Sequence, residues 1–406
     1  MSFQQGLSGL NGASQALNAI SNNVANAGTV GFKASQAQFA DVFASALSGG
    51  GTAQVGIGTQ VSTVAQQFTQ GNIEVTNNPL DIAINGAGFF RMSNNGAITY
   101  TRNGQFLVDK DNYIVNGQGY RLTGYAANAN GQILQSSPVE IQINRADLDP
   151  SATTTMDMSL NLDSRESVIA GAIDINDPTT YNVSTAATVY DSLGVAHTLT
   201  IFFQKSAANA WDIAYGLNGT DITASATGTT IGFDASGNVN AGGTTTFAIP
   251  AATLGTGAAA LNFTLDLTTA TQFGSAFGVN SITQNGYASG RLTGITVASD
   301  GVIQGRYSNG LNRDLGQVVL VGFNNPNGLQ ALGGNQWAET ATSGPPLVNT
   351  PGSSNLGVLQ SAAVETANVD LTAELVAMIT AQRNYQANAQ SIKTQDSILQ
   401  TIVNLR

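Results

Sequence analysis

The sequence predicts a mainly β protein with α-helical termini. Three observations lead there. Apolar side chains recur at alternating steps of four and three at both ends of the chain. Between the ends the period falls to two. Asn-Gly pairs at Asn95-Gly96, Asn103-Gly104, Asn116-Gly117 and Asn130-Gly131 punctuate the alternating runs, and such pairs are the strongest short-range hairpin signal.

The C-terminal stripe runs through Leu371, Leu375, Met378, Tyr385, Ala389, Ile392, Leu399 and Val403, with Gln382 and Asp396 as polar breaks in the same register. No Gly or Pro interrupts Thr366 to Arg406. This predicts an amphipathic helix of roughly 50 Å with a coiled-coil-like seam. At the other end Phe3, Leu7, Leu10, Leu17 and Val24 keep the same spacing, Ser14 and Ser21 fill the remaining seam positions, and Ala13, Ala16, Ala19 and Ile20 widen the face. Gly6, Gly9 and Gly12 each weaken this helix by roughly 1 kcal/mol relative to Ala. The two helices are expected to pair along their stripes. The pattern admits two uses: a helical hairpin that closes one domain, or a contact between subunits.

After the first helix, Ser21 to Lys33 is dominated by Asn and Gly. Asn caps helices and tolerates left-handed backbone, and Gly permits turns, so a fixed irregular connector is expected. Asn22, Asn23, Asn26, Gly31 and Phe32 carry this motif, with Phe32 as its expected anchor. Gln36 to Leu47 reads as a short amphipathic segment with Phe39, Val42, Phe43 and Leu47 on one side, and Gly49-Gly50-Gly51 as a flexible break. The connector is either a linker or an interaction arm.

From Gly56 to about Asp147 short alternating runs predict an antiparallel β domain: Ile73 to Val75, Leu80 to Ile84, Gly88 to Met92, Thr99 to Thr101, Phe106 to Val108 and Tyr113 to Val115. From about Leu148 to Gln284 Thr, Ala and Gly rise. Ala187 to Tyr190, His197 to Gln204, Ala210 to Tyr215 and Phe263 to Leu267 read as strands of a second all-β domain. The style of the first β domain then returns, with Leu315 to Phe323 a strong strand run. Pro345-Pro346 and Pro351-Gly352 are expected to link back to the last helix. The expected organisation is nested. A terminal helical domain covers 1–26 and 361–406, a connector arm 27–70, a split β domain 71–147 and 285–360, and an inserted outer β domain 148–284.

Composition narrows function. The 406 residues suffice for two or three domains. A net charge of −11, with no Lys or Arg between Lys205 and Arg291, argues against nucleic acid and anionic membrane surfaces. Cysteine is absent, which excludes disulfides, thiolate metal sites and a cysteine nucleophile. No apolar run is long enough to span a bilayer as a helix. The N-terminus lacks the basic and apolar regions of a secretory signal, so any export is expected to use a route without a cleaved signal.

Chemistry is sparse. His197, the only histidine, sits in an alternating run and reads as a strand residue. Neither a phosphate loop nor an EF-hand spacing is present. Asp109-Lys110-Asp111-Asn112 reads as a turn. No catalytic, cofactor-binding or metal residue is assigned, and no cofactor is expected.

Ser21 to Lys33, and Asn368-Val369-Asp370-Leu371 through Ala381 to Ala389 and on to Leu405-Arg406, resemble the shared terminal signatures of the rod and hook proteins of the bacterial flagellum. Gly71-Asn72-Ile73, Leu80 to Gly86 and Tyr100-Thr101-Arg102-Asn103-Gly104 are similar to the same family. Thr188 to Leu199, with Phe202-Phe203, Trp211 and Phe323 to Leu329, resembles the hook branch of it.

The resemblance implies a structural subunit, not an enzyme. It would build a short, curved, hollow tube that serves as a universal joint between motor and filament. The terminal helices would form the inner tube. Implied partners are other copies of the chain, the distal rod protein, the hook cap protein, the first hook–filament junction protein, the flagellar type III export apparatus and the hook-length ruler. The implied location is the extracellular hook. Ordering of the helices is expected to be coupled to assembly. A distal rod subunit is the alternative within the family. A secreted glycan-binding β protein using Trp211 and Trp337 is the alternative from another class.

Overall fold

The computed structural model describes residues 2–42, 56, 58–128 and 130–404, the last three without their side chains. Phe43, Leu47, the break at Gly49 to Gly51, the side chain of Val403 and Leu405-Arg406 therefore lie outside the described residues. Among the described residues the helices are α1 (Ser2–Ala25), the single turn α2 (Ala251–Leu254) and α3 (Leu371–Asn404). The other regular elements of the described residues are strands or short 3-10 turns. The chain divides into two compact units. One holds Met1–Arg145, Gly294–Arg306 and Asn312–Arg406; the other holds Ala146–Thr293 and Tyr307–Leu311.

In the first unit, α1 and α3 pack antiparallel, with Gly6 beside Ile392 and Asn23 bonded to Glu374. A β-hairpin follows α1: β1 (Ser35–Val42) pairs with β2 (Gly58–Gln66). The amphipathic segment expected from Gln36 onward is thus extended over its described part. The alternation Gln36, Gln38, Ala40 against Ala37, Phe39, Asp41 suits a pleated ribbon, and cross-strand pairing overrides the helical spacing of its apolar residues. The ribbon lies along α1: the Gln5 amide donates to the Gly56 carbonyl at 2.6 Å, and the Thr59 N–H donates to Ser8 Oγ at 3.2 Å.

The β core of this unit is built from both halves of the chain. Strand Phe89–Asn94 pairs with Ala97–Thr101 across the Asn95-Gly96 turn, where both residues have positive φ. The later segment threads into the same sheet. Asn312–Val318 pairs with Arg121–Ala126, Leu320–Gly322 with Phe89-Phe90, and Gln336–Ala338 with Ala97–Thr101. Phe89, Tyr100, Val321 and Trp337 form a buried cluster against which Phe68 and Phe323 pack edge-on. The Pro-rich stretch is more than a linker. Leu347–Asn349, Val358–Ser361 and Ala363–Glu365 each pair with a strand of the β core, the last with Ile73–Val75. Residues 347–365 therefore lead from the sheet directly to the foot of α3.

The second unit is a sandwich. One sheet contains Thr155–Asp163, Thr244–Ile249 and Leu261–Asp266; the other contains Val183–Tyr190, Ala196–Ala207 and Ala210–Leu217. Their inner faces share one core that includes Leu160, Phe203, Trp211, Tyr215, Phe247 and Phe263. His197 lies on a strand here, as its alternating context predicts. Its Nε2 meets Asp191 Oδ2 at 3.1 Å, and Asn218 Nδ2 donates to its Nδ1 at 2.9 Å. Asp191 also accepts from Thr256 Oγ1 and from the Leu193 and Val195 amides. These bonds outweigh the effect of burial and hold its carboxyl at about 2. The network closes a turn and a strand.

Candidate assembly surface and the junction beneath it

The face that pairs α1 with α3 is one position away from the leucine stripe. Gly6, Gly9 and Asn23 meet α3, and Ala16 and Ile20 line a crevice shared with Glu374 and Ala377. On α3 Glu374, Met378, Ala381, Asn388, Ile392 and Gln395 are among the less exposed positions and follow a four-three register. With the stripe it shares Met378 and Ile392, and Ala389 of the stripe is half-buried as well. The expectation that the helices meet along those stripes is corrected here. The reason is steric. A Cβ at Gly9 would lie 2.9 Å from the Asn388 side chain, and one at Gly6 3.0 Å from Ile392 Cγ1. The small face admits a close approach that leucines would prevent.

The large side chains consequently face outward. Phe3, Leu7, Leu371, Leu375, Tyr385 and Leu399 are exposed, Leu399 by 55%. Val376, Ile379 and Ile398 join them. Leu10, Leu17, Val24, Met378 and Ile392 are half-buried. An apolar band of this extent on two paired helices is the kind of patch that marks an interaction surface. Moving a half-exposed Leu such as Leu375 out of water is worth about 1 kcal/mol, so a band of them gives several kcal/mol per contact.

Beneath the helices the connector is bolted to the start of the C-terminal segment by polar contacts. Asn23 donates to the Ser35 carbonyl at 2.9 Å, accepts from the Ser35 N–H at 2.8 Å and donates to Glu374 at 3.0 Å. Asn22 and Asn26 act locally: Asn26 Nδ2 donates to the Asn22 carbonyl at 2.9 Å and closes the end of α1. Gly31 has φ +73°, and a Cβ there would lie 2.6 Å from the Asn103 amide nitrogen. Only glycine meets both demands. Phe32 is half-buried and lines a crevice with Trp337 and Gln66.

The fully buried side chain is its neighbour. Lys33 Nζ lies 2.7 Å from Glu365 Oε1 and donates to the Thr69 carbonyl at 2.7 Å. Arg102 Nη2 lies 2.8 Å from Glu365 Oε2, and the same guanidinium donates to the Gly86 carbonyl at 3.0 Å. Glu365 Oε1 also accepts from the Gly71 N–H, and the Glu365 carbonyl from the Gly31 N–H at 2.7 Å. Asn368 adds a second clamp, accepting from the Ala34 N–H and donating to the Gln67 carbonyl, each at 2.7 Å.

Burial pushes the Lys33 ammonium below its ordinary value and Arg102 adds to this, against the pull of Glu365. Burial alone would raise the Glu365 carboxyl, but Arg102, Lys33 and the bonds it accepts hold it below its ordinary value. Lys33 and Arg102 lie within the terminal and β-domain motifs, but no local pattern marks either of them or Glu365 as a partner. One signal was there: Lys33 is the only charged side chain before Asp41.

Known proteins match along the chain. Residues 3–33 match the model of the flagella basal body rod protein family. Residues 83–184 match that of the flagellar hook protein FlgE/F/G D1 domain, and residues 161–287 that of the flagellar basal body protein FlaE D2 domain. Residues 360–405 match the flagellar basal body rod FlgEFG protein C-terminal model. The flagellar hook protein FlgE of Salmonella typhimurium is 42% identical over 418 residues, covering 100% of both chains. That of Escherichia coli is 41% identical with the same coverage, and that of Borreliella burgdorferi is 31% identical over 100% of this chain and 99% of its own. The crystal structure of Helicobacter pylori flagellar hook protein FlgE2 shares the fold, with a TM-score of 0.53 at 15% identity over 72% of this chain and 100% of that one. The helical termini, the split β core and the matches from end to end agree: the chain belongs to the flagellar hook protein FlgE family.

Proposed function

We propose that this chain polymerises through its paired terminal helices into the curved hollow tube of the flagellar hook, and that the tube serves as a universal joint passing torque from rod to filament. The chain is a structural subunit of the hook, not an enzyme, and it assembles with itself and with other flagellar components. The observation that carries the finer reading is the exposed apolar band on α1 and α3, which the chain leaves uncovered although its β cores are well buried. Copies of the chain are the occupant that suits this band: it repeats identically on every subunit and runs along the helix axes. The expected domains follow, with residues 1–26 and 361–406 as the terminal helical domain of the inner tube, 27–70 as the connector arm, 71–147 and 285–360 as the split β domain and 148–284 as the inserted outer β domain.

The finer partners in this reading are the distal rod protein, the hook cap protein, the first hook–filament junction protein, the type III export apparatus and the hook-length ruler. Export proceeds unfolded and without a cleaved signal; the absence of cysteine suits a chain that threads a narrow channel without oxidative folding. The test is negative-stain microscopy of the purified full chain under salting-out conditions, beside residues 71–360 alone. Curved tubes from the full chain and none from the shorter segment are expected. Straight tubes would favour a rod subunit, and tubes from residues 71–360 would remove the helices from the account.

A further inference from the structure

We propose that Glu365 is an interlock, the shared anion through which the connector 26–34 and the segment 365–374 become ordered together or not at all. The junction holds two buried cations, Lys33 and Arg102, and among the described residues Glu365 is the one carboxylate within ion-pair reach of either. The three side chains are at most 4% exposed. Each comes from a different segment: the connector, the loop after strand Ala97–Thr101, and the end of strand Ala363–Glu365. Glu365 is 332 positions beyond Lys33.

Without Glu365 in place, docking the connector would bring Lys33 toward Arg102 in a site that excludes water, with only backbone carbonyls to receive them. Buried like charges without a counter-ion are unfavourable enough to keep the connector undocked. The reverse also holds. Residues 365–374 are held in part by the connector and the end of α1: the Gly31 N–H to the Glu365 carbonyl, the Ala34 N–H to Asn368, and Asn23 to Glu374. Until the two meet, Lys33 and the Gly31 and Ala34 N–H groups on one side, and the Glu365 carbonyl and Asn368 Oδ1 on the other, lack these partners. The device therefore couples the foot of α1 to the foot of α3, so a chain presents its two helices as a fixed pair only when both ends have closed on the β core. This holds whether or not the helices build a tube.

Hydrogen exchange on the full chain, read by mass spectrometry, tests it. Glu365→Gln keeps the shape and removes the anion. It should speed exchange in 26–34 and in 366–374 by a common factor of about a hundred or more, while strand Ala196–Ala207 in the other unit stays protected. Adding Lys33→Met to Glu365→Gln should restore at least about ten-fold of that loss, because one buried cation leaves with it. Lys33→Met alone should cost both segments less than about ten-fold, since Arg102 and Glu365 still balance. The proposal is overturned if one segment opens while the other stays protected, if the double variant is no better than Glu365→Gln, or if both segments are unprotected in the unaltered chain. Should Glu365→Gln also expose Ala196–Ala207, Arg102→Met replaces it, and the two segments must again open by one factor for the proposal to stand.

Discussion

Replacing Gly31 with Ala isolates the connector geometry. Two costs add. Placing a Cβ at φ +73° costs about 1–2 kcal/mol in left-handed backbone. The new atom would also lie 2.6 Å from the Asn103 nitrogen and 2.8 Å from the Arg102 carbonyl carbon, so backbone must move. The atoms that move carry Arg102, whose guanidinium is bound to Glu365. If the shift breaks that buried pair, a further ~3–5 kcal/mol follows. The expected loss is thus at least about 1 kcal/mol and as much as about 7. Gly28 is a matched control three residues earlier: a Cβ there meets nothing within 4 Å and its φ is not positive. Gly28→Ala should change stability by less than about 0.5 kcal/mol.

Urea unfolding followed by Trp fluorescence measures both variants. Trp337 reports the first unit and Trp211 the second, and a Trp211→Phe background assigns the transitions. Gly31→Ala should lower the midpoint of the Trp337 transition and leave that of Trp211 in place. Equal shifts for Gly31→Ala and Gly28→Ala would refute the reasoning.

Other expectations concern different parts of the chain. In the second unit the Asp191 carboxyl is held at about 2, below its ordinary 3.8. Its contribution is therefore complete above about pH 4 and is lost as pH falls through about 2. The unfolding midpoint of this unit should fall more steeply between pH 5 and 2 in the unaltered chain than in Asp191→Asn. Glu365 acts with the same sign in the first unit: its carboxyl is depressed, so acid should release the junction, seen as rising exchange of the Gly31 amide on acidification after correction for intrinsic rates. Gly9→Leu should separate α1 from α3 and weaken their pairing by about 1–3 kcal/mol, measured as lost exchange protection in both helices while the β core keeps its own.

The sequence was informative wherever a local period or a local turn decides the structure. The four-three spacing located both helices, and Asn95-Gly96 marked a hairpin because a turn with two positive φ values selects those residues. The pairing face of the helices was not legible. Amphipathicity says which side chains need burial, not whether the same chain buries them. Gly6 and Gly9 looked like weaknesses because propensity counts the helix alone, whereas their use is the approach of Asn388 and Ile392. The ribbon β1–β2 was obscured by the helical spacing of Phe39 and Val42, which cross-strand pairing overrides. The junction of Lys33, Arg102 and Glu365 carries no period at all, because its members meet only after the chain has closed from both ends.

The central claim is that the outward face of the terminal helices, and not the β surface, builds the tube. Sedimentation and electron microscopy of Leu375→Asp with Ile379→Asp, beside Leu107→Asp on the β core, tests it most directly. All three positions are about half exposed or more, so the fold of the subunit should survive each change, as circular dichroism would verify. The account predicts that the helix variant stays soluble without tubes while Leu107→Asp assembles like the unaltered chain. Tubes of equal yield from the helix variant would contradict it.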